Sequence, residues 1–279
     1  MIVKHMISFG HGYTARSLAA HPDMTGVSVL GTRRTISGAA ELEASGARGV
    51  LFPSHAWSAE DLSGAWLISI PPDDEGCPVF RALGARASEA SWIGFLSSTG
   101  VYGDLGGGWA FEETPIAPLS VEAKRRAIAE KQWLEVGAHV FRLPGIYGPG
   151  RSAFDRLRAG RARRIVKPGQ VFSRAHVDDI ADALARSIAN PNRGRIYNVA
   201  DDAPGPPQDV IAHAADLLGV TPPPEIAFED ANLPVAAQRF YSECKRVSNA
   251  RLKAELGWSP IYKTYHQGLP AVLQKDASI

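Results

Sequence analysis

The segment SVEAKRRAIAEK, residues 120–131, places two side chains of opposite charge where they could act together. Its apolar residues recur at helical spacing after Ser120, which can cap a first turn, so the segment predicts a helix. Glu122 and Arg126 are four residues apart and share one face of it. They could form a surface ion pair worth about 0.3–0.5 kcal/mol. Alternatively, Glu122 could be a general base, if desolvation raised its pKa from about 4.3 against the opposing effect of Arg126.

A glycine-rich turn near the N-terminus has the residue types of a nucleotide-binding loop. In FGHGYTARSLA the pattern G-x-G-x-x-G/A follows a strand-like run and opens a helix-like segment. The first glycine allows a tight turn, the second lets the backbone approach a pyrophosphate, and the helix N-terminus offers unpaired N–H groups. The alternative is a structural turn without a ligand. The predicted dinucleotide site comprises Gly10, His11, Gly12, Tyr13, Thr14 and Ala15.

The residues that would meet the adenosine ribose favour one cofactor over another. A site that prefers NAD places a carboxylate about 20 residues after the glycine turn, whereas this chain has LGTRR at 30–34. Arg33 and Arg34 could instead bind the extra phosphate of NADP through charge-assisted hydrogen bonds. The alternative is a solvated pair of arginines. We predict NADP as the cofactor in preference to NAD.

Short apolar runs alternate with helix-like segments through the first half of the chain. The predicted strands are 2–9, 27–32, 49–52, 66–70, 92–97 and 138–143. The predicted helices between them are 13–20, 37–45, 79–90 and 120–131. This alternation implies right-handed crossovers and a parallel sheet covered on both faces. The predicted fold class is α/β, a doubly wound parallel sheet of the Rossmann type with a smaller C-terminal substrate lobe.

The alternation becomes irregular after residue 150, where proline clusters separate short helices. A helix starting at Asp178 or Asp179 and a strand in RIYNVAD return to the first pattern. We therefore assign residues 1–150 and 176–200 to a dinucleotide-binding domain. Residues 151–175 and 201–279 are assigned to the smaller, substrate-binding lobe.

The composition excludes several classes of protein. The chain has 279 residues, of which 45% are hydrophobic and 21% charged, as in an ordinary globular protein. A net charge of +1 gives no global attraction to nucleic acid or an anionic membrane, and no apolar run reaches the ~18–20 residues of a spanning helix. Cys77 and Cys244 lack metal-site spacing. We expect a cytoplasmic protein with a small-molecule substrate and no metal, nucleic-acid or membrane partner.

Several short motifs, in a specific order, carry a resemblance that covers nearly the whole chain. They are GHGYTA, FLSSTGVYGD, FRLPGIYGPGR, HVDDIADAL, YNVADD and CKRVSNARLKAELGWSP. With them the chain resembles the extended short-chain dehydrogenase/reductase superfamily, whose members include NAD-dependent epimerase/dehydratases and nucleoside-diphosphate-sugar epimerases. The resemblance implies a nicotinamide-dependent oxidoreductase or epimerase acting on a small polar, nucleotide-sugar-like substrate, and a possible homodimer.

The resemblance also implies roles for individual residues. Thr99, with Ser98 beside it, falls where the family hydrogen-bonds the reacting oxygen. The nicotinamide and adenosine sides of the cofactor would be contacted by Ser69, Ile70, Pro71, Ser97, Pro144, Gly145 and Ile146. The substrate cleft would be lined by Tyr102, Arg151, Arg174, His176 and Tyr241.

One pair of family residues is missing from the helix at 120–131. Relatives carry Tyr-x-x-x-Lys there, in which the lysine lowers the phenol pKa for proton transfer. Glu122 and Arg126 stand at those two positions, and no tyrosine occurs between Tyr102 and Tyr147. Three alternatives are open: the two residues form only an ion pair, Glu122 is a substitute base, or the proton comes from another group. Sources considered for that third case are Tyr102, His176, Tyr241 and the substrate itself.

The stretch RSAFDRLRAGRARRIVK, from Arg151 to Lys167, is strongly basic, with Asp155 as its one acidic residue. It could be a solvated helix face or could recognise an anionic substrate, for which Arg151 and Arg156 are the first candidates. A nucleic-acid interface is not favoured, because the net charge is near neutral and no aromatic platform interleaves these arginines. The leading hypothesis is an atypical NADP-binding enzyme in which Thr99 polarises the reacting oxygen. The alternative is a non-catalytic NADP-binding sensor or scaffold protein.

Overall fold

The computed structural model describes residues 3–276, so the first residue of the strand predicted at 2–9 lies outside the described part of the chain. The strands are β1 His5–Phe9, β2 Ser28–Arg33, β3 Arg48–Leu51, β4 Ala65–Ile68, β5 Trp92–Ser98, β6 Trp109–Ala110, β7 His139–Leu143, β8 Gly145–Tyr147, β9 Arg164–Val166, β10 Arg174–His176, β11 Ile196–Asn198, β12 Glu225–Ala227 and β13 Arg246–Val247. The helices are α1 Tyr13–Ala19, α2 Ile36–Ala44, α3 Ala59–Leu62, α4 Pro78–Leu83, α5 Val121–Glu135, α6 Ala153–Arg158, α7 Val177–Ala189, α8 Pro207–Leu217, α9 Val235–Tyr241, α10 Ala250–Leu256 and α11 Tyr265–Asp276.

The central sheet has seven strands in the order β11-β7-β5-β4-β1-β2-β3, and every pairing in it is parallel. The chain starts at β1, builds outward to β3, and then returns to add strands on the other side of β1. This reversal places a crevice at the carboxyl ends of β1 and β4, where doubly wound sheets bind their ligands. The predicted fold class is confirmed.

The sheet is buried on both faces because its strands carry apolar side chains at successive positions, which point to opposite sides. Met6 of β1 packs with Leu67 of β4 in the core that α1 and α7 cover. Ile7 and Trp66, the next positions along, belong to the core on the opposite face, against α4 and α5. The alternation predicted from sequence therefore becomes two helix-covered layers.

The helix predicted at 79–90 is shorter than expected. It is α4 up to Leu83, and Gly84–Glu89 continues as a 3-10 helix. Gly84 lies where a Cβ would be 3.1 Å from the ring of Phe80. Glycine also weakens a helix interior relative to alanine. The packing of Phe80 on this glycine therefore coincides with the end of the α-helical turn.

A buried polar cluster fastens α5 to the sheet. Glu130 of α5 accepts a hydrogen bond from Ser97 Oγ of β5 at 2.5 Å and from Arg142 Nη2 of β7 at 2.7 Å. All three residues are buried. Since a buried charge is tolerated when it is paired and hydrogen-bonded, this cluster fixes the helix that carries Glu122 and Arg126.

Three pairs of short parallel strands lie outside the central sheet: β10 with β8, β12 with β9, and β13 with β6. Separate apolar clusters accompany them, one around Phe154 and Leu269 and one around Ile165 and Tyr241. We propose these regions as the substrate lobe. Among the helices of residues 3–276, none combines the length and apolarity needed to cross a membrane.

Candidate active site

A cavity of about 1280 Å³ opens at the carboxyl ends of the central strands and extends among the segments that follow residue 150. It brings together most of the residues predicted from sequence. These are Gly10, Gly12, Tyr13, Thr14, Ala15, Ser69, Ser97, Ser98, Thr99, Glu122, Arg126, Pro144, Gly145, Ile146, Arg151, Arg174 and Tyr241. The predicted residues outside its lining are His11, Arg33, Arg34, Ile70, Pro71, Tyr102 and His176.

The glycine turn is built by close contacts between β1 and its neighbouring strands. Gly10 has φ +84°, a conformation that glycine adopts without strain, and a Cβ there would be 3.0 Å from Ile70 Cγ1. Its N–H donates to Thr32 Oγ1 at 2.8 Å, and its carbonyl accepts from Ser69 Oγ at 2.5 Å. Ile70 therefore supports the turn from outside the cavity.

The start of α1 is open toward the cavity. Gly12 is its N-cap and makes no side-chain capping hydrogen bond. A Cβ on Gly12 would meet only the Gly10 carbonyl oxygen, at 3.7 Å. The N–H groups at the beginning of a helix lack intrahelical partners and carry partial positive charge, so this turn can accept a phosphate.

The His11 side chain is not part of the cavity, contrary to its assignment as a cofactor contact. It is buried, and a Cβ added to Gly31 of β2 would be 3.0 Å from His11 Cβ, so the side chain packs against that strand. Burial, with Arg33 and Arg16 nearby, lowers the pKa of His11 to about 4. The imidazole is thus neutral at physiological pH.

Arg33 is the last residue of β2, beside the glycine turn, and Arg34 comes directly after it. Arg33 is half-buried and donates from Nη1 to the His11 carbonyl oxygen, whereas Arg34 is exposed. Thr35 caps α2, its Oγ1 accepting from Gly38 N at 3.2 Å. A cluster of guanidinium, hydroxyl and helix N–H groups therefore stands beside the turn.

The end of β5 and the turn that follows it place two hydroxyl groups in the cavity lining. Ser98 caps the 3-10 turn Thr99–Tyr102, and its Oγ accepts from Gly100 N at 3.1 Å. Thr99 lines the cavity with a largely buried side chain. Tyr102, at the end of the same turn, is fully buried and donates to Asn198 Oδ1 at 2.8 Å, so it is a core residue and not the predicted substrate contact.

Glu122 and Arg126 both line the cavity. Glu122 is exposed, whereas Arg126 Nη1 donates to the Leu96 carbonyl oxygen of β5 at 2.7 Å. Burial lowers the pKa of Arg126, and the charge of Glu130 opposes that change. The Leu96 carbonyl oxygen of β5 therefore holds Arg126, and the predicted surface ion pair with Glu122 is not the interaction that positions it.

The strand β8 carries the predicted nicotinamide loop. Pro144, Gly145 and Ile146 line the cavity, and Gly145 N donates to the Ser173 carbonyl oxygen at 3.3 Å, beside β10. Tyr13 of α1 donates from its hydroxyl to the Pro149 carbonyl oxygen at 3.0 Å. These bonds tie the loop to the glycine turn on the opposite side.

His176 was predicted to line the substrate cleft, but its side chain is fully buried. It is the N-cap of α7, with Nδ1 accepting from Asp178 N at 3.1 Å, and its ring meets that of Tyr147 edge-on at 5.1 Å. Burial lowers its pKa to about 4, while Asp178 opposes the shift. The helix predicted to start at Asp178 or Asp179 begins at Val177, and the Asp179 carboxylate accepts from Ile261 N.

Several residues of the cavity wall were not expected from sequence. They are Ser120, Tyr147, Arg161, Arg163, Phe172, Phe240, Glu243 and Lys245. Phe172 and Phe240 are stacked with centroids 4.2 Å apart, although 68 positions separate them in the chain. No local pattern predicts such a contact, because it depends on the packing of β9, β10 and α9. The described residues hold no group of three or more His, Cys, Asp or Glu placed to bind a metal.

Comparison with known proteins gave a mixed result. No family model matches the chain. It is 29% identical over 208 residues to a 3-diazoavenalumate denitrifying reductase of a Streptomyces species; this covers 68% of this chain and 66% of that protein, just under two thirds of its length.

Solved structures resemble the chain over its whole length. A functionally unknown conserved protein from Silicibacter pomeroyi DSS is 48% identical with TM-score 0.92, over 98% of this chain and 99% of that one. A dTDP-glucose 4,6-dehydratase from Bacillus anthracis, in complex with NAD, is 17% identical with TM-score 0.74, over 98% and 96%. The second likeness concerns the fold alone.

Proposed function

Because this chain belongs to the family of the Silicibacter pomeroyi protein and has the fold of epimerase/dehydratase-like short-chain dehydrogenases/reductases, we propose that it is a nicotinamide-dependent reductase of a small organic anion. The observation that carries the proposal is the single cavity shared by the glycine turn, Thr99 and the loop at Pro144. The Streptomyces relative supports reduction, since its name describes a reductase whose substrate is an acid anion.

The residues of the cavity fit a dinucleotide. Gly12 leaves the first N–H groups of α1 accessible to a pyrophosphate, and Pro144 to Ile146 line the part where the nicotinamide would lie. A nicotinamide ring supplies or accepts a hydride when bound. Arg126, held against β5, would present its remaining N–H groups to the ribose, since a guanidinium has several donors in a fixed arrangement.

We assign NADP(H) as the preferred form. The end of β2 carries two arginines and no carboxylate, and Arg33 already lies against the turn through its bond to His11. A guanidinium beside Thr35 and the start of α2 would add charge-assisted hydrogen bonds to a ribose phosphate. A bound NAD has no phosphate at this position and could not form these additional hydrogen bonds.

Thr99 is the group we place on the reacting oxygen, with Ser98 next to it. Of the four side chains considered as proton sources, we propose that Glu122 or Tyr241 exchanges the proton. Tyr102 and His176 are buried away from the cavity, whereas Glu122 and Tyr241 line it. A hydroxyl that donates to the reacting oxygen stabilises the charge that develops there, and the second group exchanges the proton.

The proposal is tested by measuring NADPH and NADH binding to the full-length chain through the change in nicotinamide fluorescence. We expect NADPH to bind and the Gly12→Ala variant, whose added methyl meets little of the protein, to melt normally yet bind it at least about tenfold more weakly. Failure of both dinucleotides to bind at millimolar concentration would overturn the proposal. Binding without turnover of any tested organic anion would favour a sensor instead.

A further inference from the structure

We propose that the cavity region formed by Arg156, Arg161, Phe172, Phe240 and Tyr241, here termed the arginine–aromatic subsite, binds aryl carboxylates. The inference rests on the proposed reductase function and names the class of its substrate. The ring of the ligand would lie on the aromatic wall and its carboxylate would meet the guanidinium groups.

The wall of the subsite is flat and apolar. Phe172 and Phe240 are stacked at 4.2 Å with an interplanar angle of 20°, and Tyr241 meets Phe172 edge-on at 5.6 Å. Phe240 is 56% exposed, so the stack presents ring surface outside the core. Ile165 and Val171 add apolar lining beside it. A planar ligand gains both burial of apolar area and ring stacking on such a surface.

Most charged groups around this wall already have partners. Lys245 Nζ donates to Glu243 Oε2 at 2.5 Å, and Arg163 donates to the Ala231 carbonyl oxygen. Arg174 donates to the carbonyl oxygens of Phe172 at 2.9 Å and Gly205 at 3.1 Å. The carboxylate of Asp155 accepts from Ser152 N and Oγ, which closes the first turn of α6.

Two guanidinium groups of the subsite remain uncommitted; a third cavity arginine whose side chain has no hydrogen bond or ion pair among the described residues, Arg151, lies over the ring of Tyr13 at 5.9 Å, on the side of the glycine turn. Within residues 3–276, the side chains of Arg156 and Arg161 form no hydrogen bond or ion pair, although both line the cavity. The positive charge of Arg156 also acts on Tyr241, where it opposes the rise in phenol pKa that burial causes. Arg156 and Tyr241 line the same cavity, where one ligand could contact both side chains.

The number of free charges favours one carboxylate over a diphosphate. Arg156 and Arg161 carry two positive charges, and Asp155, in the lining of the same cavity, offsets one of them. The remaining charge balances one carboxylate, to which a guanidinium can form two parallel hydrogen bonds. Asp155 and Glu243 also line the cavity, and their negative charges oppose the additional charges of a nucleoside diphosphate. The subsite thus joins one anion-binding point to one ring-binding surface.

The test measures calorimetric binding of 4-hydroxycinnamate, its neutral amide and UDP-glucose to the full-length chain, with and without NADP. We expect the acid to bind at least about tenfold more tightly than the amide, because one charge-assisted contact is lost. Arg156→Gln should weaken the acid about tenfold and leave the amide unchanged. Arg158→Gln is the matched control, since Arg158 lies on the same helix but pairs with Asp276 at 2.8 Å.

Equal binding of acid and amide, tighter binding of UDP-glucose, or equal losses in the two arginine variants would overturn the inference. Tyr241→Phe gives a second check that does not depend on Arg156: it should also weaken the acid more than the amide. If NADP binds and no arene does, the subsite is wrong while the proposed function stands. If NADP fails to bind, the measurements without cofactor still decide whether the subsite exists.

Discussion

At the scale of single residues, Arg33 and Arg34 are the two cationic groups that decide the cofactor preference we propose. Arg33 is half-buried and anchored to the His11 carbonyl, whereas Arg34 is exposed. The anchored guanidinium loses less freedom when it binds a phosphate, so most of the discrimination should come from Arg33.

Arg33→Ala should therefore raise the dissociation constant for NADPH about tenfold or more, since hydrogen bonds to charged groups contribute about 1.5–3 kcal/mol. The dissociation constant for NADH should change little, because NADH lacks the phosphate. Fluorescence titration of both cofactors with the variant and the original chain measures the difference. A loss of equal size for the two cofactors would show that Arg33 serves the fold of the turn and not phosphate recognition.

Of the four side chains considered as proton sources from the sequence, Glu122 and Tyr241 line the cavity. If Glu122 does so, Glu122→Gln should lower kcat by about 100-fold or more, within the range of general acid–base catalysis, with little change in KM. If Tyr241 does so, the same result should come from Tyr241→Phe. Turnover of an identified anion by each variant over pH 5–9 distinguishes them, and unchanged turnover in both would remove both residues from the proton transfer.

At the scale of elements, the buried cluster between α5 and the sheet fixes the position of the α5 residues that line the cavity. Its central residue is Glu130, which accepts hydrogen bonds from Ser97 and Arg142. Their side chains are nearly excluded from solvent, so the charge on Arg142 depends on Glu130 for compensation. Removal of one member leaves the others unsatisfied.

Glu130→Gln should lower the free energy of unfolding by about 3–5 kcal/mol, because a buried guanidinium loses its carboxylate partner. Urea unfolding followed by circular dichroism measures this. Glu89→Gln is the matched control: Glu89 pairs with Arg86 at 2.6 Å on the surface, where solvent screens the interaction, and its loss should have little effect. Similar losses in both variants would refute the structural role assigned to the buried cluster.

At the scale of the whole molecule, stability against pH depends on groups that folding removes from water. Burial raises the pKa of Asp201 to about 7, with Arg174 and the Ala203 N–H opposing the shift. A carboxyl group whose pKa is higher in the folded state binds more protons when folded. Its contribution therefore becomes less favourable as pH rises from its ordinary value of 3.8 through about 7.

Asp201→Asn should raise the free energy of unfolding by about 1–2 kcal/mol at pH 8 and by much less at pH 4, since the amide never ionises. His11 and His176, whose pKa values are lowered to about 4, make the free energy of unfolding rise between pH 4 and 6.5. Both the original chain and the variant contain these histidines, so their effect cancels in the comparison. Urea midpoints across pH 4–8 measure the difference. Asp230→Asn, at an exposed position, is the control; a gain independent of pH would contradict the assignment.

Much of this protein follows from patterns that act locally along the chain. The apolar residues at successive positions of β1 and β4 indicated a sheet covered on both faces. The glycine at position 10 allowed a tight turn with positive φ. The resemblance to a known superfamily implied the order of the elements. These features depend on backbone sterics and on side-chain periodicity, which are determined by residues close together in the sequence.

Only the tertiary structure decided which polar residues face the cavity. The Tyr102 side chain is buried because its hydroxyl donates a hydrogen bond to Asn198 Oδ1, 96 positions away in the chain. Arg126 donates a hydrogen bond to the Leu96 carbonyl oxygen, and the rings of Phe172 and Phe240 are stacked. Burial of a polar group depends on partners that are distant in sequence, since an unpaired group in the core costs several kcal/mol. The orientation of each such side chain therefore emerges only when the whole chain is packed.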